Sequence, residues 1–93
     1  MSVAGTILQQ IGGNRFAAMT GARQFAAGPD SIRFRIGGNP RRVGIVVIRL
    51  NSKDLYDMMF YKSSGDLIDE AKDLFAEDME RVFTDKTGLY TRL

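Results

Sequence analysis

DLIDEAKDLFAEDMERVF, residues 66–83, separates almost completely into two faces when wound at about 100° per residue. Leu67, Ile68, Ala71, Leu74, Phe75, Met79 and Val82 share one arc, and Asp66, Asp69, Glu70, Asp73, Glu77 and Glu80 the opposite one. Ser64 or Asp66 is available as an N-cap, carboxylates fill the first turn, and Gly88 supplies a stop that Leu89 and Tyr90 would fold back to cover. The pattern predicts a long C-terminal amphipathic helix from about Asp66 to Phe83, its apolar arc laid on a sheet. Asp78 lies at the edge of that arc and needs an Arg or a backbone donor.

Towards the N-terminus the period changes from helical to alternating. Leu55 to Lys62 puts Tyr56, Met58 and Phe60 on one side and Asp57, Met59 and Tyr61 on the other. The polar turn Asn51-Ser52-Lys53-Asp54 joins it to Val43–Leu50, whose β-branched residues on both parities predict a central strand buried on both faces. Before Gly37-Gly38-Asn39-Pro40, Ser31 to Ile36 turns Ile32, Phe34 and Ile36 inward and Arg33 and Arg35 outward. Gly28-Pro29-Asp30 is a turn signal. Residues 15–27 read either as extended structure, the preferred reading, or as a second short helix broken at Gly21. Ser2 caps a first short helix through Val3, Ile7, Leu8 and Ile11, closed by Gly12-Gly13-Asn14. The expected fold is a single α+β domain over residues 1–93. It has an antiparallel sheet of three to four strands, with the short N-terminal and long C-terminal helices packed on one face.

Ninety-three residues hold one core and not two, and 44% hydrophobic with 26% charged residues describes a folded chain. The absence of Cys and His removes disulfides, thiolate metal sites and every triad that depends on imidazole. Ser63 and Ser64 have no nearby base, and the carboxylate pairs Asp66/Glu70 and Asp69/Asp73 have no third ligand type. No enzyme, cofactor or metal is expected. The longest strongly apolar run, Val43–Ile48, is far too short for a membrane helix, and no signal peptide is evident, so a cytoplasmic protein is expected.

The net charge of +2 conceals an asymmetry. Residues 1–50 hold seven Arg against one Asp, a balance of +6, whereas residues 51–93 hold six basic against ten acidic residues, a balance of −4. All the basic residues of the first half are Arg, which suits planar and stacked recognition better than Lys. Ile-Gly-Gly-Asn occurs at 11–14 and 36–39 and is read as turn punctuation, matching neither a P-loop nor a dinucleotide motif.

GGNRFAAMTGARQF at 12–25, LYDMMF at 55–60 and TGLYT at 87–91 resemble strings in a group of short proteins of bacteriophages and other mobile elements. The resemblance touches most of the chain and brings no activity or fold with it. It implies a setting inside an infected or plasmid-bearing bacterium. The element order also resembles that of the double-stranded-RNA-binding domain, but Asp66, Asp69 and Glu70 stand where that domain is basic, so only topology would be shared.

Two surfaces follow from the strand and helix assignments. Arg33, Arg35 and Arg49 share a sheet face with Met59 and Tyr61, and Arg41 and Arg42 add charge from an adjacent loop. Such a face tracks phosphates and stacks bases, or is simply a solvated face whose Arg pair with Asp57 or the acidic helix. The second surface is the acidic one of Asp66, Asp69, Glu70, Asp73, Glu77 and Glu80, which either docks on a basic partner or is a solubilising face. The expected function is an accessory protein that binds nucleic acid or a host nucleoprotein complex through the Arg-rich surface. The alternatives are an inhibitor of a host defence factor, working through the acidic or apolar surface, and a homodimer built on the sheet face.

Overall fold

The computed structural model describes residues 2–91. Two helices, α1 (Val3–Ile11) and α2 (Gly13–Thr20), precede five strands, β1 (Arg23–Ala27), β2 (Ser31–Arg35), β3 (Ile45–Leu50), β4 (Tyr56–Tyr61) and β5 (Leu67–Leu74). A 3₁₀ turn (Ala76–Asp78) then leads into α3 (Met79–Thr87). The strands form one antiparallel meander in chain order, with β1 and β5 at the edges.

The pleat decides which side of the sheet is covered. Ile32, Phe34, Val46, Ile48, Tyr56, Met58 and Phe60 share one parity and are buried with Ala4, Ile7, Ile11, Phe16, Met79, Val82 and Phe83 from the helices. All three helices therefore lie on one face. Phe16 stands at the centre of this layer, its ring edge-on to Phe34 (5.5 Å between centroids) and Phe83 (4.9 Å).

The helix expected from Asp66 to Phe83 is not formed as one element. Residues 67–74 are the fifth strand, so the sheet has one strand more than the three to four expected, and only the segment from Met79 is α-helical. Ser63-Ser64-Gly65-Asp66, expected to cap a helix through Ser64 or Asp66, instead closes a hairpin. Gly65 adopts φ +100°, its N–H donates to the Lys62 carbonyl, and the Lys62 N–H donates to the Asp66 carbonyl, both at 2.8 Å. A helix over residues 66–74 would have left the backbone groups of β4 unpaired along that edge, and pairing them outweighs helical propensity. The alternation of β5 is hidden by two bulges, each placing an extra β5 residue opposite β4, one of them with Asp73 at φ +58°. Leu67, Ile68, Ala71 and Leu74 thereby fall at helical spacing in a strand. Phe75, assigned to the apolar arc, is 59% exposed. The stop at Gly88 is present, with φ +81° and its N–H on the Thr84 carbonyl, and Leu89 packs back on the core while Tyr90 stays exposed.

Residues 15–27 divide between the two readings: 15–20 are helical up to the break at Gly21, against the preferred extended reading, and 23–27 are extended as β1. Ser2 Oγ caps α1 as expected, accepting from the Gly5 N–H at 3.0 Å, but Gly12 with φ +133° turns the chain straight into α2. Helix α2 ends at Gly21, whose φ of +70° is a left-handed cap, and β1 follows after a single residue. A Cβ on Gly21 would also stand 3.1 Å from the Gly37 nitrogen. Helix α2 carries Phe16 into the core, fully buried against Phe34 and Phe83. Helices cover the central strand on one face only: on the other, Ile45 is buried, Val47 half-buried and Arg49 exposed.

Candidate binding surface

The helix-free face is defined by the ladder register. One row runs Arg23, Arg35, Ile45, Tyr61 and Leu67, and the next runs Ala26, Arg33, Val47, Met59 and Glu70. A third runs Ser31, Arg49 and Asp57. Arg33, Arg35, Arg49, Met59 and Tyr61, singled out in the sequence, thus stand on one surface. Ile45 is buried within it and Leu67 is 54% exposed. A shallow concavity of about 230 Å³ opens among Arg33, Ile45, Val47, Tyr61 and Gly65.

The arginines differ in their partners. Arg49 Nη2 lies 3.1 Å from Asp57 Oδ2, so this residue is half of a pair on the sheet. Among the described residues, Arg33 and Arg35 have no carboxylate within 4.0 Å. Arg23 donates from Nη1 to the Gly21 carbonyl at 3.1 Å and stands directly across the ladder from Arg35. Arg41 is in the loop between β2 and β3, outside the sheet ladder; its charge helps to hold the Asp69 carboxyl low, and the neighbouring Pro40 lies beside Gly88 at the end of α3. Arg42, at φ +59° in the same loop, lies outside the register that aligns the others.

Asp57 is 5% exposed, although it belongs to the helix-free face. It accepts from Arg49, from Asn51 Nδ2 at 3.0 Å and from the Asp73 N–H at 3.1 Å. Burial pushes its carboxyl up, but the Asp73 N–H, the Asn51 amide and the Arg49 guanidinium outweigh burial and hold it below its ordinary value. Asn51 is the joint of this corner. Its Oδ1 accepts from the Lys53 and Leu55 N–H groups, and its Nδ2 also donates to Asp73 Oδ1 at 2.9 Å.

The six carboxylates of the expected acidic helix are dispersed. Asp66 lies in the hairpin turn and accepts from Ser64 Oγ at 3.2 Å. On β5, Asp69 faces the helices and pairs with Lys86, Glu70 is on the helix-free face, and Asp73 pairs with Lys53 at 3.2 Å. Glu77 is in the 3₁₀ turn, and Glu80 on α3 accepts from Thr91 Oγ1 at 2.8 Å. Glu77 and Glu80, with Arg81, Asp85 and Tyr90, border a broad open depression of about 980 Å³. Among the described residues no cluster of three or more acidic groups is placed to hold a metal ion, and no helix is long and apolar enough to cross a membrane.

Arg23 and the Asn51–Asp57 joint are absent from the candidates drawn from sequence. Arg23 sits in the stretch whose structure was ambiguous, and its only signal was membership of the seven-Arg half. An Asn opening a hairpin turn and an Asp on the polar parity of the next strand were the signal for the joint. Comparison of the chain with protein-family models, with curated proteins and with solved structures finds no match.

Proposed function

We propose that this chain is a small non-enzymatic accessory protein of a mobile element, acting in the bacterial cytoplasm, that binds nucleic acid or a nucleoprotein complex through the helix-free face of its sheet. The observation that carries the reading is the pairing of Arg23 with Arg35, directly opposite each other and flanked by Arg33. Like charges directly opposed across a ladder are destabilising. No protein carboxylate among the described residues offsets that repulsion within 4.0 Å of Arg33 or Arg35. A polyanion laid across the face relieves it, because each phosphate sits between guanidinium groups. The apolar rows beside the arginines supply what phosphates do not, contact with bases or sugars.

The test is an anisotropy titration with single- and double-stranded DNA and RNA at low and physiological salt. Binding that weakens steeply with salt, and is lost in R33E/R35E with the fold intact by circular dichroism, is expected. Absence of binding at low salt rejects the reading.

The rival reading is a protein contact on the same face, either a host factor or a second copy of the chain. Exposed Leu67 in line with Tyr61 and Ile45 favours it. Light scattering showing a dimer dispersed by Leu67→Glu, with no response to nucleic acid, is its signature.

A further inference from the structure

The concavity on the helix-free face has a composition that phosphate binding alone does not call for. Its walls are the half-buried Tyr61, the side chains of Ile45 and Val47, the Arg33 side chain and the backbone at Gly65. Ile45 stands beside Tyr61 in one row, and Val47 lies next to Arg33 in the adjacent row. Tyr61 and Arg33 are thus two strands apart in the sheet order, with β3 forming the floor between them. At about 4.8 Å per strand and about 3.4 Å per residue along it, the two backbone positions are roughly 12 Å apart on the diagonal, and their side chains border the concavity from opposite sides. Gly65 leaves the rim open where any side chain would project, and nothing lies within 4 Å of the position a Cβ would take there.

Aromatic rings and guanidinium planes are the two groups on which unpaired bases stack, and an aliphatic floor excludes water beneath them. A duplex keeps its bases stacked inside and offers a flat or convex sheet only its backbone. We infer that this concavity seats one unpaired nucleobase against Tyr61, Ile45 and Val47, beside Arg33. The face then takes single-stranded nucleic acid in preference to duplex, with Arg23 and Arg35 along the phosphates. The inference rests on the nucleic-acid reading above and specifies its ligand.

Three probes test it with the full chain: a fluorescein-labelled oligothymidine strand, a labelled strand of equal length made only of abasic sites, and a labelled duplex. Oligothymidine is expected to bind about tenfold more tightly than the abasic strand, the size of one base–aromatic stack. Tyr61→Leu is expected to abolish that difference by weakening oligothymidine while leaving the abasic strand unchanged, and Tyr61→Phe to preserve it. If wild-type protein binds all three probes equally, the inference is overturned while the nucleic-acid reading stands. If none binds at low salt, both fall. The wild-type comparison requires no variant, so a misfolded Tyr61→Leu would not obscure the outcome.

Discussion

Lys86 of α3 reaches across the helix layer to Asp69 of β5, Nζ to Oδ2 at 2.8 Å, tying the last helix to the strand that occupies the place of its expected first half. The lysine is 27% exposed and the aspartate 44%. Pairs this open to water contribute little, so Asp69→Asn is expected to lower stability by roughly 0.5 kcal/mol at neutral pH, measured by urea unfolding. A helix spanning residues 66–83 would carry Asp69 in its first turn and leave Lys86, 17 positions on, beyond its far end, with no contact to lose.

Asp57 is the stronger test of the same sheet. Asp57→Ala removes one of the two acceptors of the Asn51 amide and the acceptor of the Asp73 N–H in a half-buried corner, at an expected cost of about 1–3 kcal/mol. Hydrogen–deuterium exchange should show the loss concentrated at Asn51 and Asp73.

Acid should weaken the protein through these two carboxylates. Asp57 is held below its ordinary value against the upward push of burial by Asp73, Asn51 and Arg49, and Asp69 by the hydrogen bond from Lys86 and then by the Glu70 N–H. A carboxyl depressed in the folded state binds its proton more readily when unfolded. Its stabilisation is therefore complete above the unfolded value of about 3.9 and disappears as pH falls from there through the folded value. Wild type should lose stability on acidification below roughly pH 4, and D57N/D69N should show a flatter profile over the same range.

Phe16 and Phe75 should respond in opposite ways. Phe16 is fully buried between two rings, so Phe16→Ala is expected to cost about 3–5 kcal/mol. Phe75 is mostly exposed, and Phe75→Ala should change stability by less than about 0.5 kcal/mol. A large loss at Phe75 in chemical denaturation would restore the long-helix reading.

If Arg23 and Arg35 each hold a phosphate of a single strand, Arg→Gln at either should reduce the slope of log K against log salt by about 0.7. Titrations at several salt concentrations read this directly. Arg49, already paired with Asp57, should change the slope less.

The residues that read correctly from sequence were those whose pattern and partners agree locally. Ile32, Phe34 and Ile36 alternate without interruption, Asn51–Asp54 turns the hairpin, and Gly88 stops a helix, so the second to fourth strands and the Arg-bearing face were legible. The fifth strand was not, because its bulges move Leu67, Ala71 and Leu74 to helical spacing and its cause lies in the open edge of β4, outside its own residues. Gly12 misled for a similar reason: the glycine that ends one helix starts another, and only the burial of Phe16 reveals which.

Both outer strands carry a kink, with Gln24 at φ +55° in β1 and Asp73 at φ +58° in β5, each beside a register shift. A neighbouring copy finds no straight row of free amides and carbonyls on either border to copy. Crowding many molecules along one long polyanion would therefore raise their local concentration without seeding fibrils, because five strands is where this ribbon stops growing.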